Sequence, residues 1–295
     1  MLPTALVVQC FVKVDTLRGA CESLLRCEGI KDLNLIFWSD SPVSSRDEAK
    51  FGVLQAGVDA YVRGFIKSEG QRFRSIEYRT NPTNLGAYKT CEIALDHAFK
   101  QCAFAILVED DVIFSRDALL WFDAIRRQRL LDDERYWAIA GESVFFDARE
   151  KPVSREWVAA MCKLAVDEEL SQYYTAHNFI PSTCFATTAE KWQQFGQTRG
   201  EPIGDVTVCK RCADEGRYGI FPVVPRVKDV GMLHEHGYSV LIHSREGVTS
   251  IKNTYVMSGD LIAIGGDAPN AFQPYEGHAG RLFSASTLLH PIEGL

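Results

Sequence analysis

Phe104-Ala105-Ile106-Leu107-Val108 is an unbroken apolar run that ends on three adjacent carboxylates, Glu109-Asp110-Asp111, and resumes as Val112-Ile113-Phe114. A strand that is apolar on both faces belongs inside a sheet covered by helices on both sides. The C-terminal end of such a strand is where open α/β sheets place their ligand sites. Three neighbouring carboxylates repel one another and are costly to desolvate, so in this setting they call for a cation. Oxygen donors favour Mg²⁺ or Mn²⁺, ions usually held by one or two carboxylates with substrate phosphates completing the shell. On the triplet alone, a solvated acidic turn that follows a strand is the alternative.

The rest of the chain is compatible with a large α/β enzyme. Its 295 residues suffice for one domain, or for one domain with an extension, and 46% hydrophobic with 24% charged residues is ordinary globular composition. A formal net charge of −7 argues against a nucleic-acid partner, because polyanion recognition rests on clustered Lys and Arg. Met1 to Cys10 carries no basic leader and no segment approaches the ~18 uninterrupted apolar residues of a membrane span, so the expectation is a cytoplasmic protein without a transmembrane segment. Nine cysteines in mostly apolar contexts fit reduced thiols, and Cys209-Lys210-Arg211-Cys212 lacks the second pair a zinc site needs.

Leu6 to Val12 reads as a buried first strand, Thr16 to Leu25 as a helix, and Leu33 to Trp38 as a second strand ending at Ser39-Asp40-Ser41-Pro42. Asn81 to Gly86 is a turn-rich loop before a helix with Cys91, Ala94, Leu95 and Ala98 on one face. After the triplet, Ser115 suits an N-cap and Asp117 the first turn of a helix that buries Leu119, Phe122 and Ile125. Trp137 to Gly141 is a further strand, residues 147–171 read as an insertion on the functional side, and Ser182 to Thr187 and Ala189 to Phe195 as a strand and a helix. Phe221 to Pro225 reads as an edge strand because proline does not sit in a central one. Residues 1–240 are expected to form the main domain and 241–295 a C-terminal extension packed on it.

Taken in order, Asn84-Leu85-Gly86-Ala87-Tyr88-Lys89, Leu107 to Val112, Trp121-Phe122, Trp137 to Ala140, Asp205 ahead of a basic helix, Pro225-Arg226-Val227 and the Gly231 to Gly237 loop resemble the GT-A glycosyltransferases, most closely the N-acetylglucosaminyltransferase I family. The resemblance spans Ala5 to Tyr238, with only the Glu-Asp-Asp segment and its flanks specific. It implies a Rossmann-type, mostly parallel central sheet flanked by helices. It also implies Asp111 as the ligand of Mn²⁺ or Mg²⁺, with Glu109 and Asp110 on the sugar and ribose of a UDP-sugar donor. Cys10, Lys13, Asp40 and Lys89 would join them in donor binding, with His236, before Gly237, as the member from the loop over the donor; a turn-forming Asp40, a solvated Lys89 and an exposed loop histidine stand as alternatives. Asp205 would be the catalytic base, or an ordinary N-cap, and the chain departs from the family in lacking a Trp before it and in carrying Pro181-Ser182-Thr183-Cys184 where the family has a glycine-rich turn.

The reaction so implied is metal-dependent, inverting transfer of a sugar, N-acetylglucosamine being the family's own, from a UDP donor to a hydroxyl of a glycan or glycoconjugate, as in polysaccharide biosynthesis. Two other classes stay open. A sugar-nucleotide nucleotidyltransferase shares the sheet and the carboxylates but carries a Gly-rich loop after its first strand, where this chain has Phe11-Val12-Lys13-Val14-Asp15. A non-catalytic nucleotide- or sugar-binding module would bind without needing Asp205.

Overall fold

The computed structural model describes residues 3–142, 173–177, 180–196, 205–222, 225–231, 234 and 273–274. The expected insertion over 147–171, His236 with its loop, and nearly all of 241–295 lie outside the described residues.

The first half alternates strand and helix. In order come β1 (Thr4–Cys10), α1 (Val14–Leu24), β2 (Leu33–Ser39), α2 (Glu48–Glu69), β3 (Ser75–Thr80), α3 (Gly86–Ala98) and β4 (Phe104–Glu109). β5 (Val112–Phe114), α4 (Ala118–Arg127) and β6 (Tyr136–Ala140) follow, then β7 (Tyr173–His177), β8 (Cys184–Thr188), α5 (Asp205–Glu215), β9 (Tyr218–Pro222), β10 (Val227–Asp229) and the two-residue β11 (Gln273–Pro274). Among the described residues nine strands form one sheet in the order β11-β7-β9-β6-β8-β4-β1-β2-β3, while β5 and β10 pair separately.

β1, β2, β3 and β4 are mutually parallel, and β8 runs antiparallel between β4 and β6. The fold is therefore a mixed α/β sheet flanked by helices. Its two cores follow from strand alternation. Leu6, Val8, Ile106 and Val108 pack with α1, α2 and α4, and Ala5, Val7, Ala105 and Leu107 pack with Cys91, Ala94 and Leu95 of α3. Each fully buried Leu, Val or Ile contributes on the order of 1.5–3 kcal/mol. Both faces of β4 are thus covered, as its unbroken apolar run requires.

Three expectations change. Pro222 ends β9, which lies between β7 and β6 and is not an edge strand; at the last position its missing N–H removes no bond from the strand's interior. The N-cap position of α4 is Asp117 rather than Ser115, and its carboxylate caps no helix amide. Instead it accepts from the Ser115 hydroxyl at 2.7 Å and pairs with Arg226 at 3.0 Å, fully inside the protein. Finally, the helix expected from Ala189 to Phe195 is a single α turn to Lys191 that widens into a π turn over Trp192–Gly196.

Candidate active site

β4 delivers the triplet, and its alternation splits the three carboxylates. Glu109 continues the α3-facing side, and its N–H donates to Thr183 O at 3.0 Å just ahead of β8. There it lines an open cleft with Gln9, Tyr88, Cys91, Trp137 and Ser182. Asp110 turns to the opposite side, where Phe11 N–H donates to it at 3.1 Å. Asp110 and Asp111 are both buried, at 3% and 4% exposure.

Lys13, immediately ahead of α1, answers them. Its ammonium lies 2.9 Å from Asp110 Oδ1 and also contacts Asp111 Oδ2. Burial works against a charged amine there, yet Asp110, Asp111 and Glu109 outweigh it and hold the ammonium firmly protonated. One positive charge does not balance the site. Burial pushes the Glu109 carboxyl well above the usual range, with Asp111, Asp229 and Asp110 pushing the same way and Lys13 opposing.

Two of the acids around this centre come from strands whose ends the sequence analysis did not single out. Glu142 follows β6, and burial, with Asp229 and Asp111 near it, raises its carboxyl to about 8 even though the Thr183 hydroxyl donates to it. Its place is set by Gly141, whose N–H donates to Cys184 O at 3.1 Å and whose carbonyl accepts from Arg226 and Val227. A Cβ at Gly141 would sit 2.9 Å from Cys184 Sγ and from Val227 Cγ2, so only glycine lets β6, β8 and β10 meet here. Asp229 is the last residue of β10, opposite Val112. The signal for both was the one that marked the triplet, an acid just past an apolar strand, but each stands alone and draws no notice as a single letter.

The backbone beyond β10 closes over the carboxylates. Val230 N–H donates to Asp111 O at 2.8 Å and Gly231 N–H to Asp229 Oδ1 at 2.7 Å. A Cβ on Gly231 would overlap the Asp111 carboxylate, so a glycine is needed for this approach. His234 Nε2 lies 3.1 Å from Asp15 Oδ1 at the start of α1. Asp111 Oδ1 is buried with no hydrogen-bond partner among the described residues.

The other expected residues fall into three groups. Asp40, at the end of β2, is 5% exposed and has both oxygens engaged: Ser41 N–H, Asn81 Nδ2, Asn84 Nδ2, Leu85 N–H and Gly86 N–H all donate to it at 2.9–3.2 Å. An ionised carboxylate offers about four lone-pair sites, so Asp40 shapes the loop before α3 and has no oxygen left for a donor. Cys10 puts its thiol into the core, where burial and then Asp110 push it well up, and the cleft is lined by its neighbour Gln9. Lys89 pairs with Glu92 one turn along α3, its side chain 59% exposed. Asp205 opens α5, three residues ahead of Val208, which lines the cleft; its side chain lies outside the described residues, as does His236.

These residues fit a hard divalent cation. The donors are all oxygens, one buried carboxylate oxygen is orphaned, and the surrounding acids exceed the single ammonium. Asp111 would hold the ion. Among the described residues no three His, Cys, Asp or Glu side chains form a metal-holding group by themselves; ions of this kind are usually held by one or two carboxylates with substrate phosphates completing the shell.

No protein-family model matches the chain, and no curated protein does. Solved structures do. GalNAc-T7, determined with UDP, GalNAc and Mn²⁺, aligns at TM-score 0.50 and 13% identity over 77% of this chain and 44% of its own. The Pyrobaculum calidifontis mannosyltransferase PcManGT, with GDP-Man and Mn²⁺, aligns at TM-score 0.49 and 12% identity over 91% and 66%, and S. aureus TarS 1-349 at 0.46 and 10% over 78% and 61%. The chain thus spans about half to two-thirds of the length of these proteins. At such identities the likeness speaks to the fold alone, and it is the alignment at 0.50 that carries it: the architecture is similar to GT-A glycosyltransferase structures.

Proposed function

We propose that the chain is a metal-dependent glycosyltransferase that moves a sugar from a nucleoside-diphosphate sugar to an acceptor hydroxyl. The observation that carries this reading is Asp111, a buried carboxylate with one oxygen unpartnered among the described residues, two positions past Glu109, which lines an open cleft at the C-terminal edge of the sheet. Binding sites in open α/β sheets lie at that edge. A divalent cation bound at Asp111 would supply Lewis-acid stabilisation of the diphosphate as it leaves.

The chain's own residues would do the rest. Glu109, on the cleft side of β4, and Asp110 would hold the hydroxyls of the sugar and ribose, while Lys13 would meet the phosphate side of the donor. Tyr88 and Trp137 give the cleft the apolar walls that pack against a pyranose ring and exclude water. Asp205, one helical turn ahead of the cleft residue Val208, would take the proton of the attacking hydroxyl, a general-base contribution of ~10²–10⁴-fold. Attack from the face opposite the leaving diphosphate inverts the anomeric carbon. Uridine is the base and N-acetylglucosamine the sugar that the sequence resemblance favours, with a glycan or glycoconjugate as acceptor.

The test is a thermal-shift screen of UDP-, GDP- and dTDP-sugars, each with and without MnCl₂. One donor should raise the melting temperature only when metal is present. Equal shifts without metal, or none with any donor, would overturn the reading. An Asp205→Asn variant that still binds donor but no longer transfers the sugar would separate an enzyme from a binding module.

A further inference from the structure

Asp111, which would receive a metal, and its neighbour Asp110 already hold a cation. Lys13 Nζ lies 2.9 Å from Asp110 Oδ1 and in contact with Asp111 Oδ2, with 13% of its side chain exposed and 4% and 6% of theirs. Phe11 N–H occupies Asp110 Oδ2, which leaves Asp111 Oδ1 as the open oxygen of the pair. A divalent ion seated on Asp111 would meet the ammonium across a single carboxylate, with little water between them to screen the repulsion. The two cannot share the site at full strength.

We propose that Lys13 is an exchangeable counter-ion: metal displaces its ammonium from the aspartates, and a nucleoside diphosphate takes the ammonium up, so that metal binds tightly only in company with the nucleotide. This rests on the reading of the cleft as a nucleotide-sugar site. The backbone of Lys13 is anchored, its carbonyl accepting from Leu17 N–H at 3.1 Å and Thr16 Oγ1 at 3.2 Å, so the exchange is a turn of the side chain alone. Lys13 is the N-cap position of α1, and no side chain caps that end of the helix. A diphosphate near that helix start offers the negative charge that the ammonium loses on leaving Asp110 and Asp111. Without a phosphate the displaced ammonium has no such acceptor, and metal alone has to compete with it. The absence of a ready metal-holding trio among the described residues agrees with a site held in its lysine-filled form.

The experiment titrates MnCl₂ into the protein and follows free Mn²⁺ by electron paramagnetic resonance, with and without UDP. Wild type should bind Mn²⁺ weakly alone and at least tenfold more tightly with UDP. Lys13→Met keeps the apolar stem and removes the charge; it should bind Mn²⁺ alone at least tenfold more tightly than wild type and gain much less from UDP. Lys13→Arg, which keeps the charge, should behave like wild type. If Lys13→Met is not folded by circular dichroism, Lys13→Gln carries the same comparison. Unchanged or weaker Mn²⁺ binding in a folded, uncharged variant, while UDP still strengthens it in wild type, overturns the exchange but not the nucleotide-sugar reading. No Mn²⁺ binding in any sample, even with UDP, overturns both.

Discussion

Asp40 and Asp111 are both buried aspartates at the C-terminal ends of parallel-sheet strands, yet the fold treats them oppositely. Asp40 is surrounded by five donors from the loop it organises. Asp111 has one oxygen against Lys13 and the other without a partner, with Gly231 pressed onto it. A carboxylate whose lone pairs are filled by the protein is a structural part. One that is buried, acid-crowded and left open among the described residues is, on our proposal, held for a cation. Residue type and strand position are the same in the two cases, and the partners decide.

This contrast is open to direct attack. The largest effect is expected from Asp40→Ala, which unpairs one N–H of the Asn81 amide, whose other bond goes to Thr90, and the N–H groups of Leu85 and Gly86 at the start of α3; it should cost more than about 3 kcal/mol in urea unfolding, since each buried donor left unpaired costs about 1–3 kcal/mol. A small loss would place Asp40 among the ligand-facing carboxylates after all.

His177 supplies a third kind of buried group, an imidazole set edge-on to Phe221 and kept neutral, with burial lowering it to about 4. The unfolded chain takes up its proton near pH ~6.5 and the folded one only near 4, so acidification from 7 to 4 favours the unfolded state, by up to about 3 kcal/mol. His177→Phe should flatten that part of the stability-versus-pH curve. An unchanged curve would mean that the acid sensitivity arises elsewhere.

Next in size, Asp111→Asn should reduce Mn²⁺-dependent UDP binding by about 100-fold, or about 2.7 kcal/mol, while changing the stability of the ligand-free protein by less than about 1 kcal/mol, because it removes one charge from an already crowded site. Asp40 and Asp111 would then separate cleanly, one governing folding and the other binding. The smallest effect belongs to Lys89→Ala. An exposed ion pair one turn apart on a helix contributes less than about 0.5 kcal/mol, and donor binding should be unaltered. A clear loss of donor affinity would bring α3 into the site.

The residues differ in how plainly their sequence showed these roles. β4 and the triplet were legible because a doubly buried strand is a continuous apolar run, and acids at its end interrupt it visibly. α2 and β3 were not: α2 buries Phe51, Val58, Val62 and Phe65 but leaves Val53 76% exposed, and β3 is a half-exposed edge strand, so neither shows a clean period. β9 was misplaced because a proline is tolerated at the end of an interior strand. Asp40 looked like a ligand because the donors that fill it come from as far along the chain as Gly86, and local sequence does not reveal who will arrive. Glu142 and Asp229 are brought to the triplet by the pairing of β5 with β10 and by β8 lying between β4 and β6, contacts that exist only once the sheet is assembled. Lys13 was expected at the donor, and the structure adds that its ammonium is the counter-ion of Asp110 and Asp111.

The central claim is that the opening at Asp111 belongs to a cation bridged by a diphosphate. Isothermal titration of UDP into the protein, with MnCl₂ and then with excess chelator, tests it most directly. Saturable binding at one site per chain with manganese, weakened at least tenfold by the chelator, is the result the account predicts. Equal affinity in both conditions, or no heat in either, would contradict it.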